Sequence, residues 1–154
     1  MDANLDLIVK LVAALLAGGL IGLNRDLHGK PAGIRVHALV SLGAAIVILA
    51  ALEGGNPANI NPVIQGIVGG IGFLGAGIIM RAEVPGSGMR LHNLTTASTI
   101  WVSAALGIAC GVGAWRLATA ASLAVFAVLI LGVRLDRWLY GRLGDEADGG
   151  DDKA

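Results

Sequence analysis

Charge is what this chain has least of. Only 14% of its 154 residues are charged, against about a quarter in an ordinary globular domain. Eleven basic and eleven acidic residues cancel, so no net positive field exists to attract a phosphate backbone. Aromatics are equally sparse, with two Phe, one Tyr and three Trp. They offer no stacking platform for bases, and nucleic acid is excluded as a partner. The single Cys110 rules out an intrachain disulfide and any multi-cysteine metal site. Lying in an apolar run, it reads as a packed core residue. The N-terminal stretch MDANLDLIVK has neither the positive n-region nor the clear small-residue cleavage site of a secretory signal, so the first hydrophobic segment is expected to stay. Catalytic signatures are missing as well: there is no HExxH, no nucleophile paired with a base and no metal-ligand spacing, so no enzyme is expected. His28, His37 and His92 fall in loops or at helix edges. His28 and His37, nine positions apart, have no motif that would fix them with Asp26 around a divalent ion.

What the chain does have is apolar sequence: 55% hydrophobic residues, mean hydropathy +0.76, and 24 glycines. Five apolar runs stand out, Leu5 to Leu23, Val36 to Leu52, Val63 to Met80, Thr95 to Ala114 and Leu117 to Val133. Each is about 17 to 20 residues long, enough to cross a bilayer as a helix. The expected fold is all-α, a polytopic transmembrane helical bundle of about five tightly packed, Gly-rich spans over residues 1–143. Residues 144–154, GDEADGGDDKA, carry no large apolar side chain and are expected to form a disordered acidic tail.

Basic residues set the orientation. Arg25, Lys30 and Arg35 lie between the first two runs, Arg81 and Arg90 between the third and fourth, and Arg134, Arg137, Arg142 and Lys153 after the fifth. Only Lys10 and Arg116 fall on the opposite side, and the loop around Asn56 has no base. The positive-inside rule then places the N-terminus outside and the C-terminus in the cytoplasm. Trp138 and Tyr140 suit the inner interface.

The stretch GGIGFLGAG places Gly70, Gly72 and Gly75 in the spacing G-x-G-x-x-G. A dinucleotide site would need a preceding strand and an acid about 20 residues on. Here the run VIQGIVGGIGFLGAGIIM is of membrane length, and the nearest downstream acid is Glu83. The spacing fits a helix-packing surface better. Gly66 and Gly70 are four apart, as are Gly72 and Ala76, Gly107 and Gly111, and Gly18 and Gly22. Such small-xxx-small faces let backbones approach where lipid supplies no hydrophobic drive between helices. Gly66, Gly70, Gly72, Gly75, Gly77, Gly107 and Gly111 are therefore the expected packing residues. The alternative is a helix broken by its glycines around a polar cavity, as in transporters.

Ionisable residues inside a membrane are functional suspects. Asp6 and Lys10, four apart near the start of the first run, read as an ion pair at the outer interface, with a coupling-ion or proton site as the alternative. In NLTTASTIWVS, Thr95, Thr99 and Ser103 recur at four-residue steps with Thr96 and Ser98 alongside, and their hydroxyls can bond carbonyls one turn back. Alternatively Asn93 or Thr95 caps this helix, and its free N–H groups, with Arg81 or Arg90, make an anion-friendly pocket at the cytoplasmic surface. The densest cluster is GLNRDLHGKPAGIRVH. Inner-leaflet anchoring explains its bases but not Asn24 and Asp26 directly after a span. These suit intramolecular bonds or a binding site shared with the third loop. The candidate cytoplasmic binding cluster is Asn24, Arg25, Asp26, Lys30, Arg35, Asn93, Thr95 and Thr96.

Three blocks in this order, GLIGLNRDLHGKPAGIRVHALVSLGAA, GGIGFLGAGIIM and NLTTASTIWVSAALGIACGVG, resemble the signature blocks of the MgtC/SapB family of bacterial inner-membrane proteins. Together they cover most of residues 18 to 113. The family usually writes the first block G-L-E-R-E, where this chain has Asn24 and Asp26. Its fourth-span block commonly reads G-L-T/N-T-A-A, against Asn93, Leu94, Thr95, Thr96, Ala97 and Ser98 here. The resemblance is to a short form without the soluble C-terminal domain that many members carry. It implies a multi-pass inner-membrane protein linked to growth at low magnesium and to membrane energetics, with a regulatory role. It also implies contact with a membrane complex such as the proton-driven ATP synthase. No cofactor is implied, magnesium being the one ion it brings into consideration. On this reading the chain is a regulatory or accessory protein in the lipid bilayer, homo-oligomeric with a dimer favoured, acting through helix contacts. The alternative is a small carrier or channel for magnesium, another cation or a small solute.

Overall fold

Five α-helices follow one another in the computed structural model, which describes residues 2–55, 60–80 and 93–148, with the side chains of Met80, Val133 and residues 136–148 left outside the description. They are α1 (Ala3–Leu27), α2 (Ile34–Glu53), α3 (Ile60–Met80), α4 (Leu94–Gly111) and α5 (Trp115–Asp148). The described residues contain no strand. All five helices are long and apolar enough to span a membrane. Each extends past its apolar run at one or both ends, or stops within a few residues of it, because the flanking polar residues are still good helix formers. Arg81, Glu83, Arg90 and His92, like Asn56 and Lys153, lie outside the described residues, as do the side chains of Arg137, Trp138, Tyr140 and Arg142.

The chain divides into two units, Met1–Ala118 and Thr119–Ala154. The first is built around α4. Ten of the 18 residues of α4 are buried, whereas none of the described side chains of α3 is. Its buried residues include Thr96, Thr99, Ile100, Ser103, Gly107, Cys110 and Gly111, three and four apart on one helical face. Leu5, Ile8, Leu16, Leu20, Leu39 and Phe73, by contrast, are exposed. Polar hydroxyls inside and large aliphatics outside invert the pattern of a water-soluble bundle and fit a lipid surround.

Close backbone approach holds α4 in place. A Cβ on Gly107 would collide with the Ser41 carbonyl oxygen and lie 2.8 Å from its carbon, and one on Gly111 would lie 3.1 Å from the Ala45 carbonyl oxygen. In α1, Gly18 meets the His37 carbonyl, and Gly22 lies where a Cβ would be 2.7 Å from the Gly33 oxygen. One cluster of the apolar core is made of small residues, Ala14, Ala45, Ala109, Cys110 and Ala118, while Ile21, Ile48, Ile100 and Leu106 are the largest apolar side chains buried in it. Cys110 is a free, buried thiol.

The alternative reading of α3, a helix broken by its glycines, does not hold, since the helix runs unbroken from Ile60 to Met80. Nor, among the described residues, does the expected seam on α3 pack inside the chain: Cβ atoms at Gly66, Gly70, Gly72 and Gly77 would meet none of them within 4 Å, whereas one at Gly75 would lie 3.7 Å from Ala97 Cβ. Gly66, Gly70 and Gly77 share one side of α3, and α2 borders Gly66 and Gly70 across an open apolar groove rather than in close contact. In the second unit, α5 continues to Asp148. Residues 144–148 of the expected tail are thus helical, while 149–154 lie outside the described residues.

Candidate functional site

At one end of the first unit, the end of α1, the start of α2 and the first turns of α4 assemble a buried polar network. Its geometry begins with the α1–α2 turn. Gly29 adopts φ +61°, and the N–H groups of Gly29 and Lys30 donate to the Asp26 and Arg25 carbonyls at 3.1 and 3.0 Å. This is the glycine-dependent helix stop in which two terminal carbonyls are satisfied together. The chain then turns through Ala32 at φ 59°, a conformation that costs a non-glycine residue about 1–2 kcal/mol. It enters α2 at Gly33.

Asp26 holds that entry. Its Oδ2 accepts from the Ile34 N–H at 2.9 Å, satisfying a donor that α2 cannot satisfy itself. A Cβ at Gly33 would overlap the Asp26 carboxylate, so the missing side chain is what admits it. The Asp26 carboxylate is therefore committed to an intramolecular bond. Beside it, Asn24 is half-buried and its carbonyl accepts from His28 Nδ1 at 2.7 Å.

Arg25 points the other way, into the protein, and is 6% exposed. Its Nη2 donates to Thr96 Oγ1 in the first turn of α4. Its Nε is buried and has no hydrogen-bond partner. Next to it lies His37, fully buried. His37 Nδ1 is 3.1 Å from the Gly33 carbonyl oxygen and Nε2 is 3.1 Å from Thr99 Oγ1. A carbonyl can only accept, so Nδ1 carries the proton, and in the neutral ring Nε2 accepts from Thr99. The Thr96 carbonyl, 2.9 Å from Thr99 Oγ1, is a second acceptor for that same hydroxyl proton. One proton thus serves two acceptors, and a ring protonated on both nitrogens would release it to Thr96. Deeper in, Ser103 donates to the Thr99 carbonyl at 3.0 Å and Ser41 to the Ala14 carbonyl at 2.7 Å.

Of the candidate cluster, the structure joins Arg25 to Thr96 and ties Asp26 to α2. Lys30, Arg35, Asn93 and Thr95 are exposed. Asn93 occupies the N-cap position of α4 at φ 65° but makes no side-chain capping bond, because its backbone is left-handed rather than extended as a capping side chain requires. The buried hydroxyl face is Thr96, Thr99 and Ser103, so the four-residue series starting at Thr95 is off by one at its first member. The back-bonds of Ser98 and Ser103 to carbonyls four residues earlier are present. His37, Ser41 and Thr99 are network members that sequence reasoning did not place in the site. The signal for His37 was weak: a helix-edge histidine looks solvent-facing until α1 and α4 close over it. At the other end of α1, Lys10 Nζ and Asp6 Oδ2 form an ion pair at 2.7 Å. Among the described residues no group of three His, Cys, Asp or Glu side chains could hold a metal ion.

The family model described as "MgtC family" matches residues 11–138. Protein MgtC of Salmonella typhimurium is 43% identical over 124 residues, covering 80% of this chain and 51% of that protein. Protein MgtC of Brucella abortus is 42% identical over 119 residues, covering 77% and 48%. Protein SrpB of Synechococcus elongatus is 39% identical over 122 residues, covering 73% and 67%. The chain thus spans about half the length of the MgtC relatives it matches. No solved structure matches. With a family model covering most of its length and relatives near 40% identity, this multi-pass membrane chain belongs to the MgtC family.

Proposed function

We propose that the chain is an inner-membrane regulatory or accessory protein, linked to magnesium limitation and membrane energetics, that acts without catalysis through helix contacts with a second copy or with a membrane complex such as the ATP synthase. The observation that carries this reading is the uncovered small-residue side of α3. Gly66, Gly70 and Gly77, on one side of the helix, leave open space at their Cα atoms among the described residues, and Gly66, Gly70 and Leu74 border an apolar groove against Leu39, Gly43 and Val47 of α2. Between helices in lipid, association rests on close van der Waals contact. A surface of that kind on this chain is what a helix from another protein would use. The buried hydroxyls of α4, by contrast, are engaged by Arg25, His37 and backbone carbonyls of their own helix, which disfavours a solute path along that face.

The test pairs growth with flux. Cells depending on this protein at limiting magnesium are complemented with the wild type or with the Gly70→Leu/Gly77→Leu double variant. Loss of growth support by a variant with normal membrane yield supports action through the α3 surface. Saturable magnesium or proton flux in proteoliposomes of the purified protein would instead favour the carrier or channel reading.

A further inference from the structure

Arg25 is a full positive charge in a place that does not provide for it. Guanidinium does not deprotonate in proteins, so burial cannot be relieved by losing the charge. Buried charges are ordinarily paired, yet the described residues offer Arg25 no carboxylate. The ion pair among them is Asp6 with Lys10, at the far end of α1, and the neighbouring Asp26 is bound to the N-terminus of α2. Among the described residues Arg25 donates to the Thr96 hydroxyl, and its Nε has no hydrogen-bond partner. The carbonyl end of α1 is a partial negative charge nearby, smaller than the charge it faces.

The element Arg25 reaches is itself positive. α4 begins at Leu94, and its first intrahelical bond is from the Ala97 N–H to the Asn93 carbonyl at 3.0 Å. The N–H groups of Leu94, Thr95 and Thr96 precede that bond, and the side chain of the N-cap residue Asn93 does not cap them. Uncapped N–H groups and the aligned peptide dipoles make a helix N-terminus a site for anions. A cation at this end of a helix is repelled. Here a buried guanidinium with an unpartnered Nε converges on it, an arrangement that an anion between the two would resolve.

We propose that Arg25 and the first turn of α4 form a binding site for a phosphate group, with the Arg25 guanidinium on one side of its oxygens and the N–H groups of Leu94 to Thr96 on the other. A phosphate has enough oxygens to accept from both sets at once, and the planar fork of Arg matches its edge. Thr95, exposed beside these N–H groups, adds a hydroxyl donor. The site lies where two membrane-length helices end, so a soluble phosphate and the phosphate of a lipid headgroup bring the same chemistry. This site is independent of the contacts proposed for α3. It uses Arg25 in the role that sequence reasoning offered to Arg81 or Arg90.

Two arms test it on the full chain in a phosphate-free maltoside detergent. One is equilibrium dialysis with radiolabelled inorganic phosphate. The other is native mass spectrometry after incubation with phosphatidic acid or with the matched diacylglycerol. Saturable binding in the first arm is expected for a soluble ligand. Retention of phosphatidic acid but not diacylglycerol, without phosphate binding, identifies a headgroup. In either case Arg25→Gln should weaken binding by about tenfold or more, while Lys10→Gln, which removes a charge at the opposite end of α1, should leave it unchanged. Amide hydrogen exchange at residues 94–96 should also slow on adding the bound probe, a readout that requires no variant to fold. No saturable binding in either arm, equal affinity in Arg25→Gln, or no slowing of exchange at those amides would overturn the proposal.

Discussion

Gly107 meets the carbonyl of Ser41 at the tightest helix contact around α4, and one methyl group there has nowhere to go. Gly107→Ala should therefore lower stability by about 1–3 kcal/mol, the usual penalty of overpacking, visible as a lower melting temperature in detergent. Gly66→Ala, facing open space, should show no loss. Asp26 offers a second contrast of this kind. Asp26→Ala removes the acceptor of the Ile34 N–H and should cost about 1 kcal/mol, as loss of a helix cap does. Asp26→Asn retains an acceptor oxygen and should recover most of it. Both measurements read how completely each close approach is filled, which residue type alone does not reveal.

At the scale of the helix, α3 and α4 carry glycines at the same four-residue spacing, but the spaced pair of α4, Gly107 and Gly111, admits a neighbouring backbone while that of α3, Gly66 and Gly70, does not. The difference lies in what stands opposite: α2 presents the Ser41 and Ala45 carbonyls to Gly107 and Gly111, while no described residue would stand within 4 Å of a Cβ at Gly66, Gly70, Gly72 or Gly77. Gly70→Leu should accordingly leave yield and helix content unchanged. It should shift the size of the detergent-solubilised particle if α3 contacts a second copy, and light scattering of the purified protein checks this. An unchanged particle size together with full growth support at low magnesium would remove α3 as the contact surface. The helices themselves were legible from length and hydropathy. Their ends were less so, because polar residues such as Arg25 and Asp26 extend α1 well past its apolar run.

For the whole molecule, the asymmetry of basic residues predicts a cytoplasmic α1–α2 turn and an external α4–α5 turn. Single cysteines at exposed Lys30 and Val112 should label from opposite sides of the membrane in right-side-out vesicles, with Val112→Cys reached by an impermeant maleimide and Lys30→Cys protected. Cys110 is buried and should contribute little background. Labelling of both from one side would reverse or abolish the proposed topology.

The membrane character, the five helical spans and the family were all determined by the sequence alone. Each depends on composition, run length or local order, which a linear chain carries in full. Part of the site was visible too: Arg25, Asp26 and Thr96 stand out as polar residues beside apolar spans. What only the tertiary structure decided is which of them meet. Arg25 and Thr96 are 71 residues apart, and His37 and Thr99 are 62 apart, and no periodicity relates one helix to another over such separations. Nor could spacing distinguish the glycines that admit a neighbouring backbone from those that face open space, because that difference belongs to the opposing surface. The burial of Arg25 beside the uncapped start of α4 is of the same kind: it exists only once α1 and α4 pack together.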